Sequence, residues 1–449
     1  MKLSEIDATL REIRVSPVKT LGQNFLHDRN LARWIVDKAE LTSEDYVVEI
    51  GPGLGALTEF ILESGARVLA IEKDQRLADF LRRRFESERF EVLHADALDH
   101  DLRPLFAKPR VKLLGNLPYY ISSQLLLKFT KFPSPIQLSL LMLQKEMARR
   151  ISAAPGTSDY GALSLIVQLQ YRVEYLRTVP ASVFLPEPDV DSAFVRITPR
   201  APDELPPHDP ETFFRMVRQG FSQRRKQLRN LLREEVPEWA EASAALGFDP
   251  RARAEELSLL QWIALSNLSR SQAISAEAGT VSERFPVVDE NDQLLGDAPR
   301  DEVHGNNLRH RAVHILIFNR LGELFLQKRS RWKDRHPLLW DSSAAGHVEA
   351  GEEYDATAVR ELKEELGVTA ALTRVAKLPA SERTGQEFIW LYRAHHDGPF
   401  TLEHSEIEYG EFFATDIVSE WIKARPADFA PGFLECWKAF DVEALVPSA

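Results

Sequence analysis

Val47-Val48-Glu49-Ile50 runs directly into Gly51-Pro52-Gly53-Leu54-Gly55. An apolar run rich in valine, then three glycines in five residues, predicts a buried strand and a tight turn. The backbone of such a turn can approach a ligand closely, and a helix opens behind it. The alternation continues on both sides. Leu31, Ile35 and Leu41 follow Asp28, which reads as an N-cap. Further strands are expected at Arg67–Ile71, near Glu91–His94 and at Val111–Leu114, with helices from Asp74 and Ile121. Short strands separated by amphipathic helices call for an α/β fold with a mostly parallel sheet.

The pattern breaks twice. Ala201–Pro210 holds four prolines and cannot continue a helix or a central strand. Beyond it the periodicity is helical only, with Phe213, Phe214, Val217 and Phe221 on one stripe. Ser269–Arg284 is small and polar, like an interdomain linker. After it, strand-like runs at Val313–Phe318 and Glu323–Gln327 accompany a helix at Ala356–Leu366. The expected division is 1–203, a helical 204–270, a linker at 271–283 and a last domain at 284–449, which suits a chain of 449 residues.

Charge follows the same division. The net −12 argues at first against a nucleic-acid partner, but residues 1–275 hold 37 Lys+Arg and 37 Asp+Glu, while 276–449 hold 19 and 31. The first part is therefore neutral, with a cluster at Arg224, Arg225, Lys226 and Arg229. Placed on one helix, as the periodicity implies, those four would make a cationic stripe for RNA phosphates. A solvated helix face is the blander meaning of such a run. No apolar stretch approaches the roughly 18 residues a membrane helix needs. The opening MKLSEIDATLREIRV is charged throughout, and Cys436 is the one cysteine. A cytoplasmic protein with no membrane partner and no Cys-based zinc site is the expectation.

The glycine turn alone is a weak signal, but its G-x-G-x-G spacing differs from the G-x-G-x-x-G of dinucleotide binders. The next strand ends at Glu72, where ribose hydroxyls would need an acceptor, and the third ends at Asp96, placed for a base amine. Either could be an ordinary capping acid. Both, on successive strand ends, favour an adenosyl ligand. The fourth strand ends in Asn116-Leu117-Pro118-Tyr119. The Asn116 amide oxygen and the Leu117 carbonyl can accept both N–H bonds of an exocyclic amine, aiming its nitrogen at a methyl sulfonium.

With these residues in view, the stretch of about 14–270 resembles the KsgA-type ribosomal RNA adenine dimethyltransferases. Lys19–Leu26, Met142–Glu146, Tyr160–Ser164, Phe184–Pro186, Val190–Ala193, Phe221–Arg229 and Leu246–Pro250 carry the resemblance, in order along the chain. The antibiotic-resistance methyltransferases of large-subunit rRNA share the glycine turn and the Asn116 motif. The Val190–Ala193 and Leu246–Pro250 blocks favour the KsgA type. The resemblance implies a Rossmann-like fold with a helical C-terminal subdomain, binding S-adenosylmethionine through Asn24, Leu26, Gly51, Glu72, Asp96 and Asn116. It further implies that Asn116, Leu117, Pro118 and Tyr119 hold the target adenine with Phe184 stacked on it. The implied reaction adds two methyls to N6 of each of two adjacent adenosines near the 3′ end of small-subunit rRNA, within the 30S particle.

The last domain carries Gly346-x5-Glu352-x7-Arg360-Glu361-Leu362-Lys363-Glu364-Glu365-Leu366-Gly367-Val368. Glu361, Glu364 and Glu365 share one helix face, where like charges repel, so helix stability gives no reason to gather them. Mg²⁺ or Mn²⁺ wants clustered carboxylates and would neutralise a diphosphate beside them. Arg360 can pair back to Glu352. The stretch matches the Nudix box at every position. That resemblance implies an α/β/α sandwich and Mg²⁺-dependent hydrolysis of a nucleoside diphosphate derivative. Val313–Asn319 and Leu326–Ser330 resemble the isopentenyl-diphosphate-isomerase-like branch, but the cysteine expected just before the box is absent from Trp340–Ala345.

Overall fold

A computed structural model describes residues 3–17, 23–118, 121–131, 133–201, 204–277, 283–333 and 335–444, with side chains except at 270–277 and 441–444. Two compact units divide at Ala276/Glu277.

The first unit runs α1 (Leu3–Glu12), β1 (Phe25–Leu26), α2 (Arg29–Asp37), β2 (Tyr46–Ile50), α3 (Thr58–Glu63), β3 (Arg67–Glu72), α4 (Gln75–Arg84), β4 (Phe90–His94), β5 (Val111–Asn116), α5 (Ser122–Phe129) and β6 (Ile136–Gln144). It continues with α6 (Lys145–Ser152), α7 (Ala162–Gln170), β7 (Tyr171–Val179), β8 (Phe184–Leu185) and β9 (Ser192–Pro199). Seven strands form one sheet in the order β4-β3-β2-β5-β6-β9-β7. The first five are parallel, and β9 and β7 are antiparallel additions at one edge.

Alternation along β2 sends Val47 to one face of this sheet and Val48 and Ile50 to the other, each face having its own core. Leu31, Ile35, Phe60 and Leu81 fill the first core, and Leu125, Leu126, Phe129 and Ile151 the second. Asp28 caps α2 by accepting from the Leu31 N–H at 3.0 Å, a bond worth about 1 kcal/mol. Because β2 has β3 on one side and β5 on the other, the strand order reverses there. In open α/β sheets the carboxyl-end crevice at such a point is where ligands bind.

Behind the sheet, α8 (Pro210–Gly220), α9 (Leu228–Leu231), α10 (Trp239–Leu246) and α11 (Leu259–Glu277) pack around Trp262 together with Tyr160 and Leu165. The expectation of one basic helix is corrected here. Arg224, Arg225 and Lys226 lie in turns between α8 and α9, and Arg229 is in the four-residue α9. Phe221 stacks on Trp262 at 5.9 Å, and Leu228 is drawn into the core with its N–H on the Ala252 carbonyl at 2.9 Å. A partly buried Phe221 and a buried Leu228, so close in sequence, leave the residues between them looped outward, and all four basic side chains are exposed. The helix α11 also continues to Glu277, through the first half of the stretch that reads as a linker.

The second unit opens with a hairpin that the sequence patterns do not announce, β10 (Arg284–Val288) with β11 (Leu294–Pro299), and then α12 (Arg300–Gly305). Next come β12 (His310–Phe318), β13 (Leu324–Arg329), β14 (Trp340–Asp341), β15 (Ala344–His347), α13 (Tyr354–Leu366), β16 (Thr373–Leu378), β17 (Glu387–His395), β18 (Ile407–Phe413), α14 (Thr415–Ala424) and α15 (Pro431–Ala444). Strands β12 to β18 make one mixed sheet with β12 at its centre, parallel to β17 and antiparallel to β13 and β15. Val313, Ile315 and Ile317 pack on Ala358, Leu362 and Leu366 of α13. His314, pointing the other way, meets Gly432 at the start of α15. Helices therefore cover both faces of the sheet.

Among the described residues, no helix is long and apolar enough to cross a membrane.

Candidate functional site

At the carboxyl ends of β2, β3 and β5, a pocket is lined by Asn24, Phe25, Gly51, Gly53, Glu72, Asp96, Asn116 and Pro118 among others. Gly51, Gly53 and Gly55 all have positive φ, at 62°, 57° and 80°. At Gly55 a Cβ would stand 2.4 Å from the Phe85 ring, so both conformation and space require glycine. The turn is held from below by Glu72, whose carboxylate accepts from the Gly53 N–H at 3.2 Å and the Asp74 N–H at 3.0 Å. Burial pushes Glu72 up to about 7. Asp96 is different: it pairs with Lys73 at 2.6 Å and accepts from the Leu98 N–H, and the lysine holds it below the usual carboxylate range.

Asn116, the last residue of β5, donates its Nδ2–H to the Asn24 carbonyl at 3.1 Å. A carbonyl can only accept, so the amide nitrogen is committed to that side and the amide oxygen is turned the other way. Leu26 is buried and paired with Phe184 across the β1–β8 ribbon. Six sequence-expected residues therefore meet around one pocket: Asn24, Gly51, Glu72, Asp96, Asn116 and Pro118. Leu117 is buried in the sheet, with its N–H on the Met142 carbonyl at 3.2 Å. Phe184 is 3% exposed and belongs to the core that holds Leu26, Met142 and Phe194, not to the pocket lining. Tyr119 and Lys19–Gly22 lie outside the described residues.

Residues 17–270, more than half of the chain, match the family model described as ribosomal RNA adenine dimethylase. The chain belongs to that family. Ribosomal RNA small subunit methyltransferase A of Geobacillus thermodenitrificans is 40% identical over 262 residues, which are 56% of this chain and 89% of the relative. Its counterpart in Halothermothrix orenii is 41% identical over 270 residues, 58% of this chain and 90% of that protein. A solved dimethyladenosine transferase from Plasmodium falciparum is 25% identical, covers 56% of this chain and 98% of its own, and superposes with a TM-score of 0.47. Residues 308–432 match the NUDIX domain model, so this dimethylase carries a Nudix hydrolase domain behind its methyltransferase unit.

In the Nudix unit a cavity of about 300 Å³ is lined by nine carboxylates and six cations. Arg360 organises the box: its Nε donates to Glu352 at 3.0 Å, and its Nη1 to Glu361 and Glu364, both at 2.9 Å. Glu361 reaches the cavity over Gly346, where a Cβ would stand 2.0 Å from its carboxyl carbon. Glu365 accepts from the Ala345 N–H at 3.1 Å, and burial pushes both Glu361 and Glu365 up. Glu364 is mostly exposed. Carboxylates at graded depth on one helix face, in a cavity with more acids than cations, are a donor set that a hard divalent cation fits.

Sequence reasoning missed a second group beside this cavity. His304, His310 and His347 each offer a ligand atom, all within 4.8 Å of one another, the one such trio found among the described residues. Glu387 joins them, 3.2 Å from His347 Nε2 and 3.6 Å from His310 Nε2. Burial lowers His347 to about 4, and the nearby His310 ring, together with the His347 hydrogen bond, holds Glu387 well below the ordinary carboxylate range. Neutral imidazoles suit a transition ion better than Mg²⁺. No local spacing announces the group, because pairing assembles it: His310 is the register partner of Glu387, and Ala312 of His347.

Proposed function

We propose that the first unit binds S-adenosylmethionine in the pocket of Gly51, Glu72, Asp96 and Asn116 and dimethylates N6 of two adjacent adenosines near the 3′ end of small-subunit rRNA, in the 30S particle. The orientation of Asn116 carries the reading. One N–H of its amide is held by the Asn24 carbonyl, which fixes the side the nitrogen occupies and turns the oxygen the other way. The oxygen beside the pocket therefore selects a target that donates hydrogen bonds, an exocyclic amine and not a ring carbonyl. In this reading the Leu117 carbonyl accepts the second N–H, and Pro118 and Tyr119 shape the base side. Phe184 completes that side by turning out of the core. The sulfonium supplies the methyl group and the leaving group, so the protein's task is alignment. Glu72 takes the ribose hydroxyls, Asp96 takes the adenine amine, and Asn24 and Leu26 close over the cofactor. The exposed Arg224, Arg225, Lys226 and Arg229 contact RNA phosphates from the turns and the short helix between α8 and α10, in place of one helical stripe. The target base must leave its stack to reach the pocket. Labelled S-adenosylmethionine incubated with small subunits from cells lacking the modification tests this: the RNA becomes labelled, and no label overturns it.

For the Nudix unit we propose Mg²⁺- or Mn²⁺-dependent hydrolysis of a nucleoside diphosphate derivative. Glu361, Glu364 and Glu365 would hold the ion, which would supply charge neutralisation for the diphosphate and acidity for a water. Arg360 fixes the box, and Arg300, Arg329, Lys333, Arg335 and Arg383 line the same cavity for the phosphates. A panel of nucleoside diphosphate derivatives with Mg²⁺ should include a substrate that releases phosphate or a nucleoside monophosphate. No turnover on any member demotes the unit to a binding module.

A further inference from the structure

Four contacts converge on Asn24–His27. The Asn24 carbonyl holds Asn116 Nδ2 at 3.1 Å. Phe25 and Leu26 pair antiparallel with Leu185 and Phe184. The His27 N–H donates to the Val183 carbonyl at 3.1 Å, and His27 Nε2 lies 3.0 Å from the Ser182 carbonyl. Since a carbonyl only accepts, Nε2 is the protonated ring nitrogen. On the opposite side the Phe25 ring fills the space over Gly53, 3.1 Å from where a Cβ would sit. One four-residue strap thus touches the glycine turn, the amide that faces the target amine, and the segment bearing Phe184. The ring of His27 adds a polar side-chain tie from the strap to that segment, beside the apolar packing of Leu26 with Phe184.

We infer that His27 is a positioning residue for methyl transfer, tying Ser182–Leu185 to the strap so that cofactor and target base bind cooperatively. The inference rests on the reading of the pocket as the S-adenosylmethionine site. A ligand seated against Asn24–Leu26 orders the strap, and through β1–β8 and Asn116 it orders the base side. The second ligand then meets a wall already in place, and the coupling is reciprocal. A side-chain bond to a backbone carbonyl of this kind is worth roughly three- to tenfold in such an equilibrium.

The test uses the full chain, sinefungin as an unreactive cofactor analogue, and small ribosomal subunits lacking the modification. Subunits should tighten sinefungin binding about three- to tenfold in the parent. His27→Ala should lower that ratio toward one, while sinefungin affinity for the free chain and the thermal midpoint stay near parental values. His27→Gln, which keeps an N–H donor, should restore part of the ratio. A parental ratio of one, or an unchanged ratio in His27→Ala, overturns the inference. So does a His27→Ala loss that comes only with a fallen thermal midpoint, since that marks a purely structural role. If sinefungin fails to bind the free parent chain, the cofactor reading itself falls, and the coupling with it.

Discussion

The two units build their pockets from different materials. In the methyltransferase unit, backbone does much of the work: three positive-φ glycines, the Asn24 carbonyl and the strand ends of a parallel sheet. In the Nudix unit the cavity is made of charged side chains, nine carboxylates against six cations. A backbone-built pocket can receive a ligand as it stands. A cavity whose lining carboxylates outnumber its cations needs further cations before it can receive an anion. The contrast predicts that the two proposed activities differ in their need for metal: hydrolysis requires a divalent ion and methyl transfer does not.

Chelation should separate the units most sharply. Excess EDTA should abolish hydrolysis of whichever nucleotide the panel identifies while leaving methyl transfer to a purified substrate within about twofold. Equal sensitivity of both activities would break the contrast. Glu364→Gln should do the same by mutation, removing hydrolysis and sparing methylation.

Asn116→Ala should lower the methylation rate by about 10²–10³-fold, the usual effect of removing one oriented polar group at a reaction centre, with hydrolysis unchanged. A smaller effect, below about tenfold, would show that backbone alone aligns the amine. Gly55→Ala tests the backbone construction itself. Positive φ and a Cβ 2.4 Å from Phe85 should together destabilise the unit by about 2–4 kcal/mol, read by denaturant unfolding. Gly247→Ala, with positive φ but nothing within 4 Å of its Cβ, should cost about half as much.

The smallest effect concerns pH. Glu72 sits near 7 because it is buried, so below that pH it is mostly protonated. Ribose hydroxyls donate to the ionised form, and S-adenosylmethionine affinity should rise several-fold from pH 6 to 8, with proton release on binding seen by calorimetry. Affinity that falls over this range would remove Glu72 from the ribose.

What was legible in the sequence follows the same contrast. Gly51–Gly55, Glu72, Asp96 and Asn116 lie at strand ends, and successive strand ends of a parallel sheet are neighbours, so the order of motifs already implied one pocket. The box helix was legible because Glu361, Glu364 and Glu365 are spaced for one face. The His304, His310, His347 and Glu387 group was hidden, since it depends on which strands pair and in what register. The basic stretch was misread for a related reason. Helical periodicity continues past Gly220, but the packing of Phe221 and Leu228 on the Trp262 core overrides it. Neither the β10–β11 hairpin nor the burial of Phe184 had a local signal.

The most direct test is nucleoside analysis of small-subunit rRNA after incubation with S-adenosylmethionine and either the parent chain or Asn116→Ala. The parent should convert two adjacent 3′-end adenosines to N6,N6-dimethyladenosine, and Asn116→Ala should leave them unmodified over the same time. Absence of dimethyladenosine with the parent, or equal conversion by the variant, would contradict the account.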